Sequence, residues 1–100
     1  MSSQGADNDG PSRHLSLTMV NKRGLHARAA AKFVKTAERY DCEIEVSKDG
    51  QSVSGRSIMG LLMLAAAPGS VIDVFLRGSD AEIAAEDISF LVKSGFGEED

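Results

Sequence analysis

One hundred residues, 42% of them hydrophobic and with a net charge of −4, make one domain large enough for a two-layer core. The acidic balance excludes a nucleic-acid binder, which needs a broad basic face. No apolar run approaches the roughly 20 residues that span a bilayer.

Cys42 is the sole cysteine, so no internal disulfide is available and no metal cluster is suggested. Its expected role is that of a small buried apolar residue. The opening residues lack the apolar stretch of a signal peptide, and the expected location is the cytoplasm. No cofactor, metal or membrane partner is expected, and nothing demands more than a monomer.

Residues 1–13 carry no aliphatic core residue after Met1 and are expected to form a disordered extension. The domain proper is expected over 14–95. An acidic tail over 96–100 is expected to fray from Gly95 onward.

Within the domain, Leu15, Leu17 and Met19 alternate with polar residues, the pattern of a half-buried strand. Ala30, Phe33, Val34 and Ala37 recur at helical spacing and predict an amphipathic helix beginning near His26. Glu43 to Ser47 alternates again. Asp49-Gly50 predicts a tight hairpin into a short return strand over 51–54. Ser57 can cap a second helix with a stripe at Ile58, Leu61, Leu62 and Ala65. Pro68-Gly69 reads as a turn. Ile72, Val74 and Leu76 mark a fourth strand. Ser79 with Glu82 reads as a capping box opening a last helix along Ala84, Ile88, Leu91 and Val92, which Gly95 ends. The order β-α-β-β-α-β-α predicts an α+β, two-layer open-faced β-sandwich. It has a four-stranded antiparallel sheet with three helices on one face.

Gly24 to Val34 is the most informative segment. Helix starts favour Ser, Thr, Asp or Asn at the cap and acidic residues in the first turn. Here the start carries His26, with Arg28 in the first turn, Lys22 and Arg23 just before it, and no acid nearby in sequence. A missing cap costs about 1 kcal/mol, and each misplaced charge roughly 0.3–1 kcal/mol. Such a start keeps a cradle of backbone N–H groups open to an anion. The N–H groups of Ala27, Arg28 and Ala29 can hold phosphate oxygens, and the Arg28 guanidinium can reach the same oxygens. An unprotonated ring nitrogen of His26 is a nucleophile toward phosphorus. No base for activating water is placed there, which suits a carrier and not a phosphatase. Read on its own, a histidine near a helix end is more often an ordinary surface residue. His14, bordering the extension, has no comparable setting.

The second helix adds Met59, Met63 and Leu64 to its stripe and is apolar nearly all round. Such a helix is either buried between its neighbours or offers an adaptable docking patch. Ser57 is a cap on local grounds, with Arg56 beside it as a solvated charge. A phosphate on Ser57 would be favoured by the helix end and would add negative charge to that surface.

These residues resemble the HPr phosphocarrier family of the bacterial phosphoenolpyruvate-dependent phosphotransferase system. Gly24-Leu25-His26-Ala27-Arg28 looks like its phosphohistidine motif, and Arg56 to Leu64 looks like its second signature around a regulatory serine. The likeness runs from about Leu15 to Val92. It implies that His26 accepts a phosphoryl group at Nδ1 from phosphorylated enzyme I, assisted by Arg28, and donates it to IIA-type proteins. It also implies docking through Ile58, Met59 and Leu62, and phosphorylation of Ser57 by an HPr kinase/phosphorylase. One departure stands out: the family commonly has proline after the arginine, where this chain has Ala29. Alanine gives up the rigidity of the first turn and restores an N–H to the cradle. Two other classes of function compete with the carrier: a docking module controlled through Ser57 that no longer relays phosphate, and a small-molecule-binding domain. The second would need convergent polar groups that the strands do not supply.

Overall fold

A computed structural model of the chain describes residues 10–98. In chain order the elements are β1 (Ser12–Thr18), α1 (Ala27–Ala37), β2 (Glu43–Lys48), β3 (Gln51–Ser54), α2 (Ile58–Met63), β4 (Val71–Arg77) and α3 (Ala81–Lys93). A 3₁₀ turn over Gly95–Gly97 follows. The strands form one antiparallel sheet in the order β1-β4-β2-β3. The architecture is the α+β open-faced sandwich expected from the sequence.

Alternation decides which face of the sheet is covered. Leu17, Ile44, Val46, Ile72, Val74 and Leu76 are buried. They meet Ala30, Phe33, Val34 and Ala37 of α1, Leu61 of α2 and Ala84, Ile88 and Val92 of α3 in one core. The opposite face stays wet, and there His14 stacks on Phe75 and bonds Asp73. His14 is therefore structural. Asp49 and Gly50 both take positive φ, 52° and 84°, as a primed hairpin turn requires.

Four expectations need correction. Ser12 and Arg13 belong to β1, because they pair with Arg77 and Leu76 of β4 although their side chains are exposed. Backbone pairing needs no apolar side chain, so composition could not show it. Residues 1–9 lie outside the described residues.

The Ser79/Glu82 capping box does not form. Asp80 is the N-cap residue and makes no side-chain cap bond. Its carboxylate instead accepts from the Asp41 N–H at 2.7 Å, tying the helix start to the loop before β2.

The helix α2 stops at Met63, and Ala65 lies beyond it at φ 52°. Of the expected stripe only Leu61 is fully buried, while Ile58 is exposed.

The tail does not fray at Gly95. Gly95 ends α3 at φ 68° as expected, but Phe96 then turns inward and is 1% exposed. Burying such a ring is worth about 3 kcal/mol, against about 1–2 kcal/mol per residue for ordering the backbone from 95 to 98. Three hydrogen bonds of about 1 kcal/mol each bring the two sides close to balance. They are Lys32 Nζ to the Phe96 carbonyl, Asn21 Nδ2 to Glu98 and the His26 ring to Glu98. Residues 99–100 lie outside the described residues.

Candidate functional site

The loop between β1 and α1 is fixed by its backbone. Gly24 sits at φ 60°, and a Cβ there would come within 2.3 Å of the Ala66 carbonyl oxygen. Only glycine tolerates both the conformation and the approach. The next residue uses that carbonyl: the Leu25 N–H donates to Ala66 at 2.9 Å, and the Leu25 side chain is buried. This pins the residue before His26 against the connection that follows α2.

His26 is the N-cap residue of α1, with extended backbone (φ −79°, ψ −179°) and no side-chain cap bond. Its carbonyl accepts from the Ala30 N–H at 2.8 Å, the first bond of the helix. The N–H groups of Ala27, Arg28 and Ala29 precede that bond and have no acceptor within the helix. There is no acid in the first turn. Ala27 and Arg28 are exposed, whereas Ala29 is buried and fastens the turn to the core. Among the described residues the Arg28 guanidinium makes no ion pair, so it is available to an anion at the helix end.

One neighbour escaped the sequence reading. Glu98 returns from the end of the chain and places Oε2 2.5 Å from His26 Nε2. Its Oε1 accepts from Asn21 Nδ2 at 2.9 Å, and Asn21 also donates to the Gly24 carbonyl. The expectation that no acid lies near the histidine thus fails in space though it holds in sequence. The Asn21 hydrogen bond holds the Glu98 carboxyl below the usual carboxylate range, with His26 and then Lys32 acting the same way and partial burial opposing them. The available signal was Phe96, a lone aromatic flanked by glycines in an otherwise polar tail.

The other predicted residues lie at and around α2. Ser57 caps this helix, its Oγ accepting from the Gly60 N–H at 2.9 Å. Met59 and Met63 are 70% and 63% exposed, Ile58 is exposed, and Leu62 is partly buried against the core. The apolar helix is therefore a surface patch and not a buried one. Arg56 is not a free surface charge. Its guanidinium donates to the carbonyls of Ala37 and Tyr40 at 3.0 and 2.8 Å, closing the C-terminal end of α1. Cys42 is half-buried, not fully buried, and burial pushes its thiol up, away from reactive thiolate. No described helix is long and apolar enough to cross a membrane.

An open-faced α+β sandwich presenting a histidine and an arginine at an uncapped helix start defines a class: small α+β domains with one helix end open to an anion. Comparison with known proteins gives the class its family. The family model described as "PTS HPr component phosphorylation site" matches residues 14–94. The phosphocarrier protein HPr of Neisseria meningitidis serogroup A is 46% identical over 83 residues, covering 83% of this chain and 93% of its own. That of Pseudomonas aeruginosa is 42% identical over 85 residues, covering 84% and 94%. The crystal structure of HPr-C-His from Thermoanaerobacter tengcongensis superposes with a TM-score of 0.83 at 40% identity, covering 87% of this chain and 98% of that one. The chain belongs to the HPr family, the phosphocarriers of the phosphotransferase system.

Proposed function

We propose that His26 is the phosphoacceptor of this carrier, taking a phosphoryl group from phosphorylated enzyme I, itself charged by phosphoenolpyruvate, and passing it to IIA-type proteins in the cytoplasm. The observation that carries this reading is the start of α1. His26 occupies the cap position without capping, and the first-turn N–H groups stay open beside it. Its one ring hydrogen bond among the described residues uses Nε2, which leaves Nδ1 for phosphorus.

The transfer is an in-line exchange between two nitrogens. The Nδ1 lone pair forms the new N–P bond while the donor's N–P bond breaks and its electron pair returns to the donor ring. Ala27, Arg28 and Ala29 offer N–H groups to the phosphoryl oxygens, and the Arg28 side chain neutralises charge on the group in flight. The exposed side chains of Ile58 and Met59, with Leu62 at their edge, form the docking surface for both donor and acceptor. Ser57 is the regulatory position. A phosphate from an HPr kinase/phosphorylase would replace a capping hydroxyl with a dianion at the same helix end, altering the docking surface more than the fold. The carrier works as a monomer in this reading.

Incubation with enzyme I and phosphoenolpyruvate, followed by intact mass and phosphorus NMR, tests the assignment. One acid-labile phosphoryl group on the wild type and none on His26→Ala is the expected result. A wild type left unmodified by enzyme I that is active on another carrier would sink it.

A further inference from the structure

We infer that Glu98 is a positioning residue for phosphoryl transfer, holding the proton of His26 on Nε2 so that the Nδ1 lone pair faces the open helix end. The inference rests on His26 being the acceptor, as proposed above.

A neutral imidazole carries one proton, and its location follows the acceptor offered to it. A carboxylate oxygen lies 2.5 Å from Nε2. It can accept that N–H but can donate nothing back. The proton therefore belongs on Nε2 and the lone pair on Nδ1. The benefit grows as the reaction proceeds. When Nδ1 bonds to phosphorus the ring becomes cationic while keeping its Nε2–H, and the carboxylate already in contact with that N–H offsets the charge.

The segment that supplies Glu98 is built to stay in place. Phe96 is a bulky non-glycine residue at φ 59°, ψ 22°. That left-handed conformation is one that bulky L side chains rarely adopt, and it persists where the surroundings over-determine it. Here the buried ring anchors the turn, and Lys32 Nζ donates to the Phe96 carbonyl at 2.7 Å. Asn21, 6% exposed, orients the second carboxylate oxygen at 2.9 Å. Asn21 belongs to the same loop as His26, so one side chain ties the acceptor's loop to the tail.

The test compares wild type with Glu98→Ala and Glu98→Gln. Nitrogen-15 NMR of the His26 ring reads the tautomer, and steady-state transfer from phosphorylated enzyme I reads kcat and KM. Glu98→Ala should lose the Nε2–H preference. Its kcat should fall about tenfold to a hundredfold, the scale seen when the hydrogen-bond partner that orients a metal-bound imidazole is removed. KM for enzyme I should stay within about twofold, because the docking surface is untouched. Glu98→Gln keeps an acceptor without the charge, and should retain the tautomer while recovering only part of kcat. Wild-type tautomer and wild-type kcat in Glu98→Ala would overturn the inference with the carrier intact. The tautomer measurement requires no transfer, so a failed relay and a failed Glu98 role give different results.

Discussion

Two helices of this protein begin in opposite ways. The start of α2 is closed: Ser57 turns its hydroxyl onto the Gly60 N–H and satisfies the helix from within. The start of α1 is open: His26 holds the same position, spends its side chain elsewhere and leaves the N–H groups behind it free of intrahelical partners. A closed start contributes about 1 kcal/mol of stability, and an open one forgoes it. On the proposed reading, the open start is where this small domain gives up stability for binding capacity, and the closed start is where it does not. The open start is also fastened to the far end of α2, since the loop before α1 bonds to Ala66 just past that helix.

The contrast can be broken most severely at the arginine of the open start. Arg28→Ala should lower the rate of phosphoryl transfer about a hundredfold, on the scale of removing one donor from a charge-stabilising site. Because Arg28 is exposed, its loss should change stability by less than about 0.5 kcal/mol. Stopped-flow transfer and urea unfolding on one sample would check both.

Gly24→Ala should act on the frame of the open start. The Cβ would meet the Ala66 carbonyl oxygen in a backbone conformation that alanine resists. A loss of about 1–3 kcal/mol is expected, together with slower transfer as His26 shifts. An alanine variant with wild-type midpoint and rate would show that the loop is not set by this approach.

At the closed start the effects reverse. Ser57→Ala should cost about 1 kcal/mol through the lost cap and leave phosphorylation of His26 by enzyme I unchanged. Equal stability in Ser57→Ala would erase the distinction between the two helix ends.

The smallest effect is a pH dependence at the tail. The Glu98 carboxyl is held below its ordinary range in the folded state. Its stabilising contribution is therefore full above the ordinary glutamate value of about 4.3 and is lost as pH falls through the lower folded value. Urea midpoints of wild type and Glu98→Gln should differ at pH 7 and converge below about pH 4. A gap that persists undiminished at low pH would assign it to something other than the carboxylate.

Much of this molecule is written locally. The period-two runs of β2 and β4, the helical spacing from Ala30 to Ala37 and the Asp49-Gly50 hairpin each depend on neighbours within a few residues, and each formed as the pattern predicts. The same holds for the candidate site's first part. His26 and Arg28 stand out because they violate helix-start chemistry at the cap and in the first turn of one helix, which is a sequence-level fact. The capping box at Ser79 misled because two acceptors compete there, and Asp80 is drawn instead to the Asp41 N–H, 39 positions away.

The sequence alone thus determined the order of elements, the covered face of the sheet and the residue types at the open helix end, since these follow from periodicity and local backbone chemistry. Only the tertiary structure decided that Ser12 and Arg13 join the sheet, that α2 shows its methionines to solvent, and that Glu98 closes over His26. Each of these depends on what is brought near from far along the chain. For Glu98 that distance is 72 residues, bridged by one buried ring whose packing no local pattern specifies.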